Sequence, residues 1–384
     1  MLVIGAGLMG PAAAYNALKD SNIKRVILAD MDRDKLNAAA GKLKEICDAT
    51  RLDIHVLNLA VESEVVAQMR EVDVVLTALP WAATVLAVRA ALVARVPLVD
   101  LAIPDDDEMA VLRRETEEAG GFILLGCGLE PGLTEIDARR LAGELDSVDE
   151  FHIMVGGIPE KPTGPLGYKI VYGGDQLPLR WIDALVVENG ERRQVRRYSG
   201  IEGTEFAGVG QVEAWNEGVI PWLLDLPELK NVQNATQKTI RWPGYATTAQ
   251  MLNELGLLGT DPVRVGNVDV VPKDLVDTLL RPHVTMKPED RDITLYRVRV
   301  SGRKDGAPVT WQSEMIDRFD EKIGLTSMAR TTAFTGAVLA RMIASGEIRA
   351  KGLQTPDLLV TGAVYDRMAS ELAKEGVLFS TTQV

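Results

Sequence analysis

Leu2-Val3-Ile4-Gly5-Ala6-Gly7-Leu8-Met9-Gly10 opens the chain. Its three apolar residues predict a short buried strand, and the amphipathic stretch 12–20 predicts a helix directly beyond it. The glycines between them have separate tasks. Gly5 permits the tight turn, Gly7 removes the side chain that would stand where a pyrophosphate lies, and Gly10 lets helix and strand pack closely. The helix N-terminus so reached presents free amide donors to phosphate groups. This is the pattern of a dinucleotide site, and Gly5, Gly7, Leu8, Met9 and Gly10 are its first candidate contacts.

Outward from that turn, short apolar runs at 25–29, 54–58, 72–77, 96–101 and 122–125 alternate with amphipathic stretches at 34–49, 62–72 and 106–119. Connections long enough for crossover helices imply a parallel sheet covered on both faces, an α/β doubly wound Rossmann domain. The second strand ends in Asp30, twenty residues beyond Gly10. A carboxylate there accepts both hydroxyls of the adenosine ribose and repels a 2′-phosphate, which favours NAD over NADP. Met31 and Asp32 flank it as further contacts, whereas Arg33 argues the other way. Ala78-Leu79-Pro80, Asp100 and Gly128-Leu129-Glu130-Pro131 follow the fourth, fifth and sixth strands, at the edge where such sheets hold ligands. Ala78, Leu79, Pro80, Gly128, Leu129 and Pro131 are therefore expected along the cofactor. Asp100 reads either as a proton acceptor or as a cap for the next turn, and Cys127 as a small neighbour without a base.

The whole chain has 384 residues, 46% of them hydrophobic, which suits two packed domains and excludes wholesale disorder. Acidic residues outnumber basic ones 55 to 42, the wrong sign for a nucleic-acid partner. Two separated cysteines and three histidines suggest no metal site. His55 and His152 read as strand fillers and His283 as a loop residue. No basic leader precedes the first strand, and Arg89 and Arg95 interrupt the longest apolar stretch, so a cytoplasmic protein without membrane contact is expected. Beyond 132 the strands turn polar and alternating, with Gly- and Pro-rich loops such as 156–167. The resulting division is a Rossmann domain at 1–130, an inserted α+β domain at 131–327, and a segment at 328–384 that returns to complete the first. Five tryptophans, Trp181, Trp215, Trp222, Trp242 and Trp311, cluster in the inserted part and read as core or dimer-interface residues.

Several motifs, taken together and in order, resemble the saccharopine dehydrogenase-like family. They are the opening glycines, Gly128-Leu129-Glu130-Pro131-Gly132-Leu133, Val155-Gly156-Gly157-Ile158-Pro159 with Pro165-Leu166-Gly167-Tyr168, Lys238-Thr239-Ile240-Arg241-Trp242-Pro243-Gly244, and Ser327-Met328-Ala329-Arg330-Thr331-Thr332-Ala333. Within the family the likeness is nearest to its lysine 6-dehydrogenase members. The resemblance implies NAD-linked oxidative deamination at the ε-carbon of L-lysine, releasing ammonia and a semialdehyde that cyclises to a piperideine carboxylate. It also implies a central domain that binds substrate, a small cationic amino acid or amine, and forms a homodimer. Those members tend to have Thr-Ser-Gly-Gly, and saccharopine reductases Asn-Arg-Asp-Ser, where this chain reads Trp215-Asn216-Glu217-Gly218-Val219. The missing arginine counts against saccharopine, which would need it for its extra carboxylates. Tyr245 also replaces a histidine common among the lysine enzymes.

An ammonium must lose a proton before its carbon can lose hydride, so the site needs a base, for which Asp100 and Glu130 are the candidates. Arg241 is the candidate for the substrate carboxylate, Tyr168 for a hydrogen-bonding wall, and Asn216 and Glu217 for further substrate contacts, with Glu217 facing the amine. Arg330 reads either as a cofactor neighbour or as a structural contact. Saccharopine-type or carboxypolyamine oxidoreduction and a catalytically silent NAD-binding regulator are the alternatives.

Overall fold

Leu2, Val3 and Ile4 form β1 (Leu2–Ile4), buried because parallel strands flank it on both sides. The computed structural model describes residues 1–172 and 177–384. From β1 the chain alternates through α1 (Gly10–Lys19), β2 (Val26–Asp30), α2 (Arg33–Ile46), β3 (Leu52–Val56), α3 (Glu62–Met69), β4 (Val75–Thr77) and α4 (Trp81–Ala94). It continues with β5 (Leu98–Asp100), α5 (Asp106–Ala119), β6 (Phe122–Leu124) and α6 (Leu133–Ala142). The strands lie in the order β6-β5-β4-β1-β2-β3, every pair parallel. The direction of winding reverses between β2 and β4, so the crevice of such a sheet falls at the end of β1, where the glycine turn is. Val65, Met69, Val88, Ala91 and Leu112 cover the strands from the helices and form the core of this unit.

Next come β7 (Ser147–Pro159), β8 (Asp183–Glu188), β9 (Glu191–Arg196), β10 (Glu202–Phe206), β11 (Gly210–Asn216) and β12 (Asn234–Arg241). They are followed by α7 (Tyr245–Glu254), β13 (Val263–Val265), β14 (Val268–Val270), α8 (Pro272–Val284), β15 (Asp292–Lys304) and β16 (Ala307–Arg318). The main sheet runs β10-β11-β12-β7-β15-β16. It is mixed: β12 and β7 are parallel, and the remaining pairs along this path are antiparallel. The polar alternation after residue 132 is thus a sheet with unequal faces. His283 lies inside α8 rather than in a loop.

Asp292 accepts the amides of Ser327 and Met328 at 2.8 and 2.9 Å and so caps α9 (Ser327–Ala344) from a distant strand. Farther along α9, Phe334 stacks on Tyr15 of α1 with centroids 5.9 Å apart. The chain then forms β17 (Gly352–Gln354), α10 (Pro356–Leu359), α11 (Ala363–Lys374) and β18 (Phe379–Gln383). β17 adds to β6 in parallel and makes the first sheet seven-stranded among the described residues. β18 instead pairs with β16, where Phe379 meets Tyr296, so the expected return of the whole 328–384 segment stops at 378. Two compact units result: Met1–Ile136 with Asp320–Leu325 and Ala329–Leu378, and Asp137–Phe319 with Thr326–Met328 and Phe379–Val384. Among the described residues no helix is long and apolar enough to cross a membrane.

Candidate functional site

In the first unit the glycine turn is packed from within and open to the outside. Gly5 has a φ of +108°, and a Cβ there would stand 2.5 Å from the Ala78 carbonyl oxygen. A Cβ on Gly10 would fall 1.6 Å from the carbonyl oxygen of Gly5, so α1 can follow β1 this closely only with glycine at that point. Gly7 differs, because nothing lies within 4 Å of where its Cβ would be. The absence of a side chain there leaves room for a ligand. No side chain caps the start of α1, which leaves its first amides to phosphate oxygens. Residues, empty space and donors all fit a dinucleotide.

Asp30 fastens this turn. One of its oxygens accepts the Ala6 amide at 2.7 Å and the other the Asp32 amide at 2.9 Å. The carboxylate retains further acceptor capacity for a ribose. Asp32 accepts the amides of Asp34 and Lys35 as the N-cap of α2, which is a structural task beside its expected one. Met31 and Leu8 are exposed, at 70% and 44%. Ala78 and Leu79 border Gly5 directly, and Pro80 is the exposed N-cap of α4.

Asp100 is not placed as a base. It is wholly buried; Thr77 and Thr84 donate their hydroxyls to one oxygen, the latter at 2.8 Å, and the Ala102 amide donates to the other at 2.7 Å. Burial pushes its pKa up to about 6, against the pull of those three donors. Its geometry is that of a clamp joining β5 to β4 and α4, with no access for a substrate amine. Gly128 and Leu129 are likewise interior, since a Cβ on Gly128 would press on the Leu101 carbonyl and the Thr332 methyl at 3.1 Å. The packing of this turn therefore accounts for Gly128 without a cofactor contact. Pro131 follows a cis bond from Glu130, and Glu130 remains half-buried on the same turn. The thiol of buried Cys127 is pushed up by the same desolvation and faces the Leu124 carbonyl. Arg330 donates to the Glu375 carbonyl at 2.8 Å.

In the second unit Tyr168 and Arg241 converge, with Glu217 close by, whereas Asn216 points to the opposite face of β11 from its neighbour Trp215. β11 and β12 pair with Trp215 opposite Thr239 and Glu213 opposite Arg241. Glu213 accepts the amides of Gly244 and Ala246 at 2.8 and 2.7 Å, which sets the start of α7 and brings Tyr245 over Trp215. These two rings stack with centroids 5.2 Å apart and planes 2° apart, and Tyr168 meets Tyr245 edge-on at 5.7 Å. The Trp242 indole donates to the Pro159 carbonyl at 2.9 Å, tying two of the family-like motifs together.

Arg241 sits among these rings, its guanidinium carbon 4.7 Å from the Tyr168 centroid, 5.7 Å from Tyr245 and 5.9 Å from Trp215. It is 3% exposed. Its hydrogen bonds go to the Ile240 carbonyl at 2.7 Å and the Tyr172 hydroxyl at 3.5 Å, and no carboxylate reaches it as an ion pair among the described residues. Arg241 Nε, Tyr168 Oη, Trp215 Nε1 and Asn216 Oδ1 are buried without a hydrogen-bond partner among the described residues. A buried cation beside unsatisfied Tyr168 and Trp215 donors is costly, and a bound anion relieves that cost.

Glu217 departs from expectation. Burial opposes its charge, but Arg197 grips both of its oxygens, one at 3.0 Å, Thr239 donates at 3.1 Å, and its pKa is held below the usual carboxylate range. The carboxylate is already neutralised and does not await an amine. The missed residues here are Arg197, Tyr198 and Trp215 as a ring neighbour of the cation. Trp215 stood in the singled-out stretch, and Tyr245 follows Gly244 in a family-like motif, whereas nothing local marks Arg197 or Tyr198. The tryptophans form no single cluster: among the described residues Trp181 and Trp215 pack in the core of this cage, whereas Trp242 packs in a neighbouring core. Among the described residues no group of His, Cys, Asp and Glu could hold a metal.

Residues 1–122 match the family model described as the saccharopine dehydrogenase NADP binding domain, and residues 128–377 match the saccharopine dehydrogenase C-terminal domain. The mitochondrial alpha-aminoadipic semialdehyde synthase of Mus musculus is 23% identical over 99% of this chain and 47% of its own length. Carboxynorspermidine synthase of Vibrio alginolyticus is 24% identical, over 80% of this chain and 78% of that protein. Saccharopine dehydrogenase (L-Glu forming) from Saccharomyces cerevisiae has the same fold, with a TM-score of 0.81 over 100% of this chain and 99% of that one at 18% identity. The chain spans about half the length of the mitochondrial relatives it matches. Its glycine turn belongs to a nicotinamide dinucleotide-binding domain.

Proposed function

The chain belongs to the saccharopine dehydrogenase family, and on that premise we propose that it oxidises the ε-carbon of L-lysine with NAD, releasing ammonia. The observation that carries the reading is Arg241, a buried guanidinium held by aromatic rings and in ion-pair contact with no carboxylate among the described residues. An amino acid with one carboxylate completes that ion pair, and the rings accommodate its aliphatic chain. Saccharopine brings further carboxylates, but Arg197, the neighbouring buried arginine, is already committed to Glu217. NAD is read from Asp30, whose position after β2 favours ribose hydroxyls over a 2′-phosphate.

The reaction balances as R-CH2-NH3⁺, NAD⁺ and water giving R-CHO, NH4⁺, NADH and a proton, after which the aldehyde and the α-amine condense with loss of water to the piperideine carboxylate. When bound, the nicotinamide supplies the hydride acceptor. Arg241 anchors the carboxylate and Tyr168 offers an unpaired polar atom to the same head group; the ammonium proton needs a base, the role proposed for half-buried Glu130. The expected homodimer stays part of this proposal. A second reading, oxidoreduction of a carboxylated polyamine, gains support from the Vibrio relative, because one carboxylate on an aliphatic amine suits Arg241 equally well.

The deciding experiment follows NADH absorbance with L-lysine, ornithine, saccharopine and a carboxylated polyamine, using NAD and NADP in parallel. Lysine with NAD should give NADH and ammonia in equal amounts. Turnover of the polyamine alone would replace the first reading with the second. Cofactor binding without turnover of any amine would leave the silent regulator.

A further inference from the structure

We propose that Tyr198 is the positioning residue of the Arg241 cage, holding the Trp215–Tyr245 stack in the arrangement that presents the guanidinium to an anion. This rests on the reading of the cage as the substrate site. The Ser199 amide donates to the Arg196 carbonyl at 3.1 Å and closes a four-residue turn in which Tyr198 is third, with a φ of +61°. That backbone region suits glycine and disfavours a bulky side chain. Among the described residues Arg95, Asn189 and Asp305 also have positive φ, and all three are exposed. Tyr198 is wholly buried.

Strain of this kind persists only where the surroundings over-determine it. The Tyr198 carbonyl accepts Gln250 Nε2 at 2.8 Å from α7, the helix that Tyr245 opens. The next carbonyl, of Ser199, accepts the amide of Asn216 at 2.9 Å on β11, beside Trp215. The turn is thus fastened to both elements that carry the stacked rings. Its side chains face the same way: Arg197 grips Glu217, and the Tyr198 ring lies 5.5 Å from Trp215 and 6.3 Å from Trp181. The phenol accepts the Arg180 amide at 3.3 Å and donates to the carbonyl of Arg180 or Pro178. Glycine would relieve the backbone, but only a flat ring supports Trp215 from this corner.

The test compares Tyr198→Gly and Tyr198→Phe with the parent protein by near-UV circular dichroism, L-lysine affinity and NAD affinity. Tyr198→Gly should lose the near-UV signal of the stacked rings and weaken lysine binding at least tenfold, leave NAD affinity unchanged, and be rescued on both counts by Tyr198→Phe. A Tyr198→Gly protein with parental spectrum and parental lysine affinity overturns the proposal. If that variant does not fold, Tyr198→Leu, which keeps bulk without a flat ring, must show the same tenfold loss, and parental affinity overturns the idea. If the parent itself binds no lysine, the substrate reading fails, and the near-UV comparison alone then decides whether Tyr198 orders the stack.

Discussion

The glycine turn of the first unit offers a ligand backbone amides and empty space, whereas the cage of the second offers side chains packed until several polar atoms lack partners among the described residues. Gly7 opens onto nothing within 4 Å, while Arg241 has three aromatic rings within 6 Å of its charge. The difference follows from what each must recognise. A diphosphate is held by amides that any sequence with the right small residues supplies, so its site is written in consecutive residues. A carboxylate on a variable side chain needs a placed cation, and placing a cation in an apolar interior takes residues from several strands and turns.

The most severe way to break this contrast is Arg241→Gln. Loss of a buried carboxylate partner is worth about 3–5 kcal/mol, so kcat/KM should fall about a thousandfold with NAD affinity intact. Unchanged kcat/KM would remove the cage from the reaction. Next is Gly10→Ala, whose Cβ falls 1.6 Å from the Gly5 carbonyl oxygen. It should cost about 3 kcal/mol in denaturant titration, and wild-type stability would show that the turn is looser than its geometry.

Asp100→Asn sharpens the comparison by asking whether a carboxylate in the dinucleotide unit is architecture. The folded pKa of about 6 lies above the unfolded value. The stability linked to protonated Asp100 is therefore fully present below about pH 4 and is lost as pH rises through 6, by roughly 2–3 kcal/mol. The variant should flatten that stretch of the stability profile without losing turnover. A lost kcat with an unchanged profile would restore Asp100 as a base. The smallest effect is expected for Gly7→Ala, which should leave stability unchanged but weaken dinucleotide binding about tenfold, or about 1.4 kcal/mol. Equal affinity would mean that no ligand approaches Gly7.

Much of the first unit could be read directly, because each link is local. Strand, glycine turn, helix and Asp30 fall within thirty residues, and alternation of apolar runs with amphipathic stretches carries the winding of the sheet. The second unit was readable only in class. Tyr168 and Arg241 were named one by one from motifs, but their meeting depends on a register between β11 and β12 and on Glu213 capping α7. Glu217 is illegible for the same reason, since its partner Arg197 stands twenty residues away on a turn that no local signal marks. Asp100 shows the converse error: strand-end position was correct, yet two threonine hydroxyls and an amide consumed the carboxylate.

The sequence by itself determined the doubly wound first unit, the place of its dinucleotide turn, an α+β domain beyond it and the family. Periodicity, glycine spacing and motif order are properties of neighbours along the chain. Which charges are neutralised and which stay unpaired was decided only in the tertiary structure. Ion pairing depends on distance in space and on burial, and residues far apart in the chain contribute both.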